Sequence, residues 1–276
     1  MEYVLKIQTP DSKGLIARIT QVIFENNLNI LKNDEFVDKE SNIFFMRSQV
    51  EGDCEIKSLE SKICAILPTQ TEVAITPIEP KKIVILCTKE NHCLGDLLIR
   101  YDSGELKADI VAVVSNYTLL EPLCEKFKIP FLFVSHEGLS REEHEREILK
   151  ILENYTFDYI VLAKYMRILT PYFVRAFEGR IINIHHSFLP AFVGANPYKQ
   201  AYNRGVKIIG ATAHFVNNEL DEGPIIYQDI IKVNHSMDWR EMQKSGRDVE
   251  KIVLARALNL ALEDRIFVFG NKTIVF

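Results

Sequence analysis

Apolar and polar residues alternate in the first part of the chain with the two-residue period of half-buried strands, and two stretches follow the period of an amphipathic helix. A turn at 10–14 leads into the first helix, for which Asp11 or Ser12 is the expected cap. The predicted elements are a strand at 3–9, a helix at 15–26, strands at 28–37 and 42–50, a helix at 56–67 and a strand at 72–77. This βαββαβ order predicts a ferredoxin-like α+β unit with a four-stranded antiparallel sheet in residues 1–76.

The pattern changes after a short linker, residues 77–80, which is bracketed by prolines. From Lys82 onward, almost continuous apolar runs alternate with helical stretches, as is typical of a parallel sheet covered by helices on both faces. The predicted strands are 83–87, 110–115, 131–135, 159–163, 181–185, 207–216 and 225–233. Helices are predicted near 92–101, 119–127, 141–155 and 248–262, with a final hairpin about Gly270. Residues 81–276 are therefore predicted to form an α/β domain with an open, doubly wound, mainly parallel sheet.

The composition is typical of a globular protein and not of a nucleic-acid-binding or membrane protein. The 276 residues are 47% hydrophobic and 26% charged, with a formal net charge of −5. Lys and Arg are scattered, so no basic surface for nucleic acid is indicated. No apolar run reaches the roughly 18 residues of a membrane span, and the first residues show no signal-peptide pattern. The five cysteines form no C-x-x-C pair, which favours reduced thiols. We expect a cytoplasmic protein with no nucleic-acid or membrane partner.

Candidate chemistry lies in the apolar run 181–185, which contains Asn183 and His185. Their spacing places both side chains on one face of a strand. An amide donor beside an imidazole can polarise a carbonyl group and move a proton. Asp221 follows in a polar segment with Gly-Pro punctuation, which predicts a loop. A polar strand end and a solvated acidic loop would explain the same residues without any chemistry.

The segment N-I-H-H-S-F-L-P at 183–190, followed by G-A-T-A-H-F-V-N-N-E-L-D-E-G-P-I-I at 210–226, resembles the folate-dependent formyltransferase family. The resemblance runs over nearly the whole chain and is dense from 162 to 276. It implies that Asn183, His185 and Asp221 act on the formyl group of 10-formyltetrahydrofolate. It also implies a folate-binding site, which is formed by Met166, Arg167, Ile168, Leu169, Val216, Asn217 and Asn218.

Two departures from the transferases of this family favour water as the acceptor of the formyl group. Transferases that act on a phosphorylated acceptor have a Gly-rich loop after the first strand of the domain, where a helix N-terminus binds the phosphate. Here that position reads C-T-K-E-N-H-C-L-G, residues 87–95, without tandem glycines. His186 stands where the transferases commonly have proline, a departure shared with the family's deformylases. The prediction is a hydrolase that releases formate and tetrahydrofolate, and the resemblance places it in one-carbon metabolism and purine biosynthesis.

Two other functions remain open from the sequence. A formyltransferase with an unphosphorylated amine acceptor would use the same three residues, and an inactive amino-acid-sensing binding protein is the alternative from another class. A nicotinamide oxidoreductase is disfavoured because no G-x-G-x-x-G motif follows the first strand of the α/β domain. We expect neither a cofactor nor a metal, since His185 and His186 are strand neighbours that point opposite ways and chelate poorly. His92, His186 and His214 receive no assigned role.

The N-terminal segments D-S-K-G-L-I-A-R-I at 11–19 and N-N-L-N-I at 26–30 resemble an ACT domain. Such domains often bind small amino acids at paired subunit interfaces. The resemblance implies a homo-oligomer, either a dimer or a tetramer, and a possible effector site at Asp11, Gly14, Asn27 and Asn29. A dimerisation module that binds no ligand is the alternative, because a fold does not determine a function.

Overall fold

The computed structural model of the protein describes residues 1–191 and 197–276. They divide into two units. One unit consists of Met1–Glu79 with Glu263–Phe267 and Val275–Phe276, and the other of Pro80–Leu262 with Val268–Ile274. In the described part of the chain, no helix combines the length and the apolar character that a membrane crossing needs.

The first unit has the predicted βαββαβ order, and its antiparallel sheet has the strand order β2-β3-β1-β4. The elements are β1 (Glu2–Pro10), α1 (Leu15–Glu25), β2 (Asn29–Asp38), β3 (Ile43–Glu51), α2 (Ile56–Ile66) and β4 (Glu72–Pro77). β1 pairs with β3 on one side and with β4 on the other. The ferredoxin-like prediction is confirmed by this topology, whereas the closer resemblance to an ACT domain stays a prediction.

The core of the first unit lies between one face of its sheet and the two helices. Leu5 and Ile7 of β1 pack in one buried cluster with Ile19 of α1 and Ile63 of α2. Each fully buried aliphatic side chain of this kind stabilises the fold by roughly 1.5–3 kcal/mol. The apolar residues that alternate along the sequence of β1 therefore lie on the sheet face that packs against the helices, and the residues between them lie on the other face.

The C-terminal residues Glu263–Phe267 cluster with the first unit, although the sequence pattern assigns them to the domain 81–276. The ring of Phe267 contacts the ring of Phe45 edge-on, with centroids 5.5 Å apart. The buried guanidinium of Arg47 donates to the carbonyl of Glu263 at 2.8 Å and to that of Asp264 at 3.2 Å. These carbonyls follow the last helix and have no partner within it, which is why they bind an arginine of β3.

The second unit is built on a seven-stranded sheet in the order β11-β10-β9-β8-β5-β6-β7. Its strands are β5 (Lys81–Cys87), β6 (Ala108–Ser115), β7 (Phe131–Phe133), β8 (Tyr159–Leu162), β9 (Ile181–His185), β10 (Ile208–Phe215) and β11 (Ile225–Lys232). Its helices are α3 (His92–Asp102), α4 (Glu121–Lys126), α5 (Arg141–Leu152), α6 (Pro171–Ala176), α7 (Pro197–Arg204) and α8 (Trp239–Leu262). The hairpin strands β12 (Ile266–Phe269) and β13 (Lys272–Val275) follow. The five strands from β7 to β9 are parallel, and β10 and β11 are antiparallel, so the mainly parallel α/β prediction is confirmed.

The last helix is longer than its sequence pattern predicts, since α8 begins at Trp239 and not at 248. Asp238 caps it by accepting from the backbone N–H groups of Arg240 and Glu241, and Glu241 accepts from the backbone N–H of Asp238. This reciprocal capping box starts the helix in a segment whose residues are mostly polar. These two added turns line the candidate active site.

The strand order determines where a ligand can bind. The carboxyl ends of β9, β8 and β5 lie side by side. From β5 the chain first adds β6 and β7 on one side of β5 and then adds β8 and β9 on the other side, so the strand order reverses at β5. In open α/β sheets, ligands bind beyond the carboxyl ends of the strands at such a reversal of strand order. The predicted catalytic and folate-binding segments follow β8 and lie on β9 and after β10.

Candidate active site

Strand β9 presents two polar side chains on one face. It pairs in parallel with β8 and antiparallel with β10, so it lies inside the sheet. Asn183 and His185 alternate with the buried Ile182 and Ile184 along it. His185 is only 4% exposed, which means that its ring has been removed from water and must find its partners within the protein or the substrate.

Asp221 reaches the ring of His185 from the loop 216–224, which joins β10 to β11. Its Oδ1 lies 3.2 Å from Nδ1 of His185. The loop leaves β10 beside Ile181 and returns over β9 as far as His185. It turns so tightly that a Cβ on Gly223 would lie 1.7 Å from the carbonyl oxygen of Phe215. Asp221 itself has a φ of 59°, a left-handed conformation that is uncommon outside glycine, asparagine and aspartate.

The charge state of Asp221 follows from its surroundings. Burial by itself would raise the pKa of this carboxyl, but the hydrogen bond and the electrostatic attraction between it and His185 outweigh burial and lower it. Asp221 is therefore an ionised carboxylate at neutral pH. Because its Oδ1 lies beside Nδ1 of His185, the other ring nitrogen, Nε2, points away from Asp221. Nε2 is buried and has no hydrogen-bond partner among the described residues.

His214 fixes the amide of Asn183. The two residues are directly opposite in the pairing of β10 with β9, and Nε2 of His214 lies 3.2 Å from Nδ2 of Asn183. Nδ1 of His214 donates to the carbonyl of Phe215 at 2.8 Å, and burial lowers the pKa of His214. A neutral ring with its proton on Nδ1 can only accept at Nε2. The amide nitrogen of Asn183 must therefore face His214, and its second N–H is available to a substrate oxygen.

A cavity of about 550 Å³ extends from these residues. It is lined by all of the residues predicted to act in catalysis or folate binding, namely Met166, Arg167, Ile168, Leu169, Asn183, His185, Val216, Asn217, Asn218 and Asp221. The side chains of Met166, Ile168 and Leu220 are exposed and apolar at this site. Thr88 after β5 accepts from the backbone N–H of Met166 at 3.0 Å and holds the segment in place. The size and the mixed lining suit a flat heterocyclic ligand.

The same cavity contains a buried cluster that the sequence analysis missed. Glu250 of α8 is 1% exposed, and its carboxylate accepts from the hydroxyl of Tyr198 at 2.5 Å and from Nε2 of His92 at 2.7 Å. Nζ of Lys164 lies 3.2 Å from the same carboxylate. Burial would raise the pKa of Glu250, but these hydrogen bonds and the Lys164 charge lower it to about 2. The one signal in the sequence is Lys164 inside the apolar run L-A-K-Y-M, since Glu250 is flanked by Asp248 and Lys251 and looks like a charge on an exposed helix face.

His186 lies near both this cluster and His185. The two rings are 5.1 Å apart, but His186 also lies 6.3 Å from the ring of Tyr198. Burial, and next the positive charge of Lys164, lower the pKa of His186 to about 4, so that it is neutral at physiological pH. The two adjacent histidines at the end of β9 therefore have different neighbours: His185 pairs with Asp221, and His186 lies beside Tyr198.

One group in the described residues has donor atoms close enough for a metal ion. The donor atoms of His92, Cys93 and Glu250 lie within 4.8 Å of one another. The carboxylate of Glu250 already pairs with Nζ of Lys164 at 3.2 Å and accepts from Nε2 of His92 at 2.7 Å. A metal ligand set needs a thiolate and a free carboxylate. The arrangement is better described as a hydrogen-bonded ion pair.

The four residues of the possible effector site do not come together within one chain. Asp11 and Gly14 precede α1, whereas Asn27 and Asn29 follow it. An α-helix of 11 residues is about 16 Å long. Asn27 and Asn29 instead line a second cavity of the first unit, together with Met1, Glu2, Glu51, Gly52 and Ile78.

Comparison with known proteins agrees with this geometry. Residues 81–258 match the family model described as formyl transferase. The chain is 55% identical to the formyltetrahydrofolate deformylase of Haemophilus influenzae, and the match covers 99% of this chain and 98% of that one. The crystal structure of a formyltetrahydrofolate deformylase from Pseudomonas syringae superposes with a TM-score of 0.95 at 40% identity, covering 100% of this chain and 95% of that one.

A glycinamide ribonucleotide transformylase from Symbiobacterium toebii is similar over a shorter range. It superposes with a TM-score of 0.68 at 28% identity, covering 71% of this chain and 94% of that one. The transformylase thus matches about as much of the chain as the formyl transferase family model does, whereas the deformylases match its whole length. The chain therefore belongs to the formyltetrahydrofolate deformylase family, whose larger unit is a formyl transferase domain.

Proposed function

We infer that the protein hydrolyses 10-formyltetrahydrofolate to formate and tetrahydrofolate, with water as the nucleophile. The observation that carries this conclusion is the convergence of Asn183, His185 and Asp221 at one end of a single cavity. The relatives that match over the full length of the chain are deformylases. A transferase for a phosphorylated acceptor has less support, because Glu90 and His92 at the position of a phosphate-binding loop pair with Arg247 and Glu250.

We propose a role for each of the three residues. Asn183 is held by His214 so that its second N–H donates to the formyl oxygen as negative charge develops there. His185 directs Nε2 to the same region and acts there as a hydrogen-bond donor or proton carrier. Asp221 accepts a proton from the attacking water. A carbon–oxygen bond forms, the bond from carbon to the folate nitrogen breaks, and that nitrogen takes up a proton.

Substrate binding is proposed at the two loops that flank β9. Residues 166–169 supply exposed apolar side chains and backbone groups. Residues 216–218 supply backbone groups and the side-chain amides of Asn217 and Asn218. These residues bind the pterin ring, and the reaction as written requires no cofactor. The 10-formyltetrahydrofolate is itself the substrate.

The experiment that tests this function is an incubation of the full-length protein with 10-formyltetrahydrofolate alone. Formate and tetrahydrofolate should appear in equal amounts without any added amine. The Asp221→Asn protein serves as the matched inactive control. If product forms only after an amine is added, the protein is a transferase and the hydrolytic function is wrong.

Four finer properties are proposed with it. The reaction supplies formate to one-carbon metabolism and purine biosynthesis, and it takes place in the cytoplasm, which the absence of disulfides among the five cysteines supports. The protein forms a homo-oligomer through its first unit, and that unit binds a small amino acid. Because α1 separates Asp11 and Gly14 from Asn27 and Asn29, the four can form one site only if the two ends come from different subunits.

The effector proposal is tested with full-length protein and a panel of amino acids. A change in turnover or in mass in solution on addition of one of them, lost in an Asn29→Ala protein, supports the site. A panel that changes neither quantity removes amino-acid binding from the proposal. An effector can alter activity only through different affinities for two states of the protein.

A further inference from the structure

The buried cluster of Lys164, Glu250, Tyr198 and His92 has no part in the mechanism above, although Lys164, Tyr198 and Glu250 line the active-site cavity. Its members come from separate elements: Lys164 from the end of β8, His92 from α3, Tyr198 from α7 and Glu250 from α8. Each is buried or nearly so. Several elements thus converge to place one ion pair beside the reaction centre.

This cluster is costly for the fold, which argues for a role other than stability. Lys164 is 4% exposed and has a φ of 61°, a conformation that favours glycine. Removing both charges of an ion pair from water costs several kcal/mol per ion, and well-packed apolar residues often stabilise a fold as much or more. Gly246 adds a further constraint, because a Cβ there would lie 2.2 Å from the hydroxyl of Tyr198. The chain therefore lacks a side chain on α8 at the point where Tyr198 reaches Glu250.

The position of the cluster explains what it does. His186 connects it to the reaction centre, with its ring 5.1 Å from that of His185 and 6.3 Å from that of Tyr198. The folate loops, residues 166–169 and 216–218, line the same cavity. Beside His185, the cavity wall therefore consists of paired, buried charges. A water molecule is small enough to fit against that wall. An amine with further substituents needs additional space there, and the charged groups of the wall would have to lose their partners or their solvent to provide it.

Charge adds to the effect of size. The charges of Lys164 and Glu250 are paired with each other and that of Glu90 with Arg247, so these groups have no unpaired charge with which to bind a charged acceptor. Arg247, which pairs with Glu90 at 3.2 Å, is already engaged and offers no unpaired cation for a phosphate. A small, neutral nucleophile is the one that this wall admits.

We propose that the Lys164–Glu250 pair, held by Tyr198 and His92, closes the acceptor side of the cavity and thereby restricts the formyl acceptor to water. The inference rests on the proposed hydrolytic function. In the competing reaction, a bond forms between the amine nitrogen and the formyl carbon, the bond from carbon to the folate nitrogen breaks, and an amine proton moves to that folate nitrogen. Both reactions consume the same substrate and differ only in the acceptor.

The test measures how the formyl group is divided between two products. Full-length protein is incubated with 10-formyltetrahydrofolate carrying a labelled formyl group and with glycinamide as the amine, and labelled formate and N-formylglycinamide are counted. The double variant Lys164→Gly with Glu250→Gln removes both charges at once and leaves no buried charge unpaired. We expect its ratio of N-formylglycinamide to formate to rise at least tenfold over that of the wild-type protein.

A second variant and a control keep the result interpretable. Lys164→Gly alone relieves the left-handed backbone and leaves Glu250 with Tyr198 and His92, so it serves if the double variant does not fold. The control is Lys251→Gln with Asp248→Asn, an ion pair on the outer side of α8, for which the ratio should not change.

An unchanged ratio in a folded variant that still releases formate overturns the inference. Loss of both products in a folded variant also overturns it, since the pair would then act in catalysis and not in the choice of acceptor. Failure of the proposed function gives a different result, because the wild-type protein would then release no formate without an amine.

Discussion

His214 and Asn183 face each other across the antiparallel pair β10–β9, and the imidazole Nε2 accepts from the side-chain amide at 3.2 Å. The other ring nitrogen, Nδ1, donates to the carbonyl of Phe215. Nε2 of the neutral ring can then only accept, so the Asn183 amide must be the donor. His214 therefore orients the amide that we propose to stabilise the oxyanion, although it does not itself contact the formyl group in the proposed mechanism.

Asn183→Ala should lower turnover by roughly 10²–10³, because it removes a hydrogen-bond donor aimed at the developing oxyanion. The Michaelis constant should change less, since the donor acts mainly in the transition state. Steady-state kinetics with 10-formyltetrahydrofolate measures both constants. A raised Michaelis constant with normal turnover would make Asn183 a binding residue only.

His214→Leu should lower turnover by about tenfold, less than Asn183→Ala, because the amide is still present but has lost the acceptor that orients it. His214→Gln retains an acceptor at this position and should recover part of the loss. Both variants are compared by kcat and KM after circular dichroism has confirmed folding. Equal effects of Leu and Gln would show that the acceptor at His214 does not matter.

Asp221→Asn should lower turnover by ~10²–10⁴ while folate binding is retained. The substitution removes the charge and the proton acceptor but keeps the shape of the side chain. Asparagine also tolerates the positive φ of this position, so the loop should hold its conformation. Binding of tetrahydrofolate, measured by calorimetry, separates a catalytic loss from a binding loss. Normal turnover in a folded Asp221→Asn protein would remove Asp221 from the mechanism.

Much of the architecture could be predicted from the sequence, because each strand and helix shows its own period. The alternation along β9 correctly placed Asn183 and His185 on one face. The register that brings His214 opposite Asn183 could not be predicted, since nothing in either strand alone specifies which residues pair. The start of α8 was also missed, because a capping box and not apolar periodicity begins that helix.

The buried cluster shows a second limit of the sequence pattern. Lys164 and Glu250 are 86 positions apart in the chain, and only the packing of α8 against the sheet brings them to 3.2 Å. Lys164 looks like an isolated charge in an apolar run, but Glu250 stands among other charged residues, so the sequence does not indicate that the two are partners. The resemblance to the formyltransferase family provided Asp221 but gave no reason to connect Lys164 with Glu250.

The unfolding free energy should depend on pH through Glu250. Its pKa in the folded protein is about 2, against an ordinary value of 4.5. A lowered folded-state pKa contributes stability above pH 4.5, which is lost as the pH falls from there towards about 2, and the amount is on the order of 3 kcal/mol. Urea unfolding at a series of pH values measures it. The Lys164→Gly, Glu250→Gln protein should show a shallower fall in this window, and an identical fall would assign it to other carboxyls.

Gly246→Ala should destabilise the protein, although alanine is the better helix former. The new Cβ would lie 2.2 Å from the hydroxyl of Tyr198 and 2.3 Å from its ring, so Tyr198 must move away from α8 and from Glu250. Overpacking of this kind costs about 1–3 kcal/mol, which exceeds the gain of about 1 kcal/mol from helix propensity. Gly95→Ala in α3 is the matched control, because its Cβ meets only Leu123 at an ordinary 3.9 Å. Urea unfolding should show a loss for Gly246→Ala and no loss for Gly95→Ala. Equal stability changes in the two proteins would mean that Tyr198 is not held against Gly246.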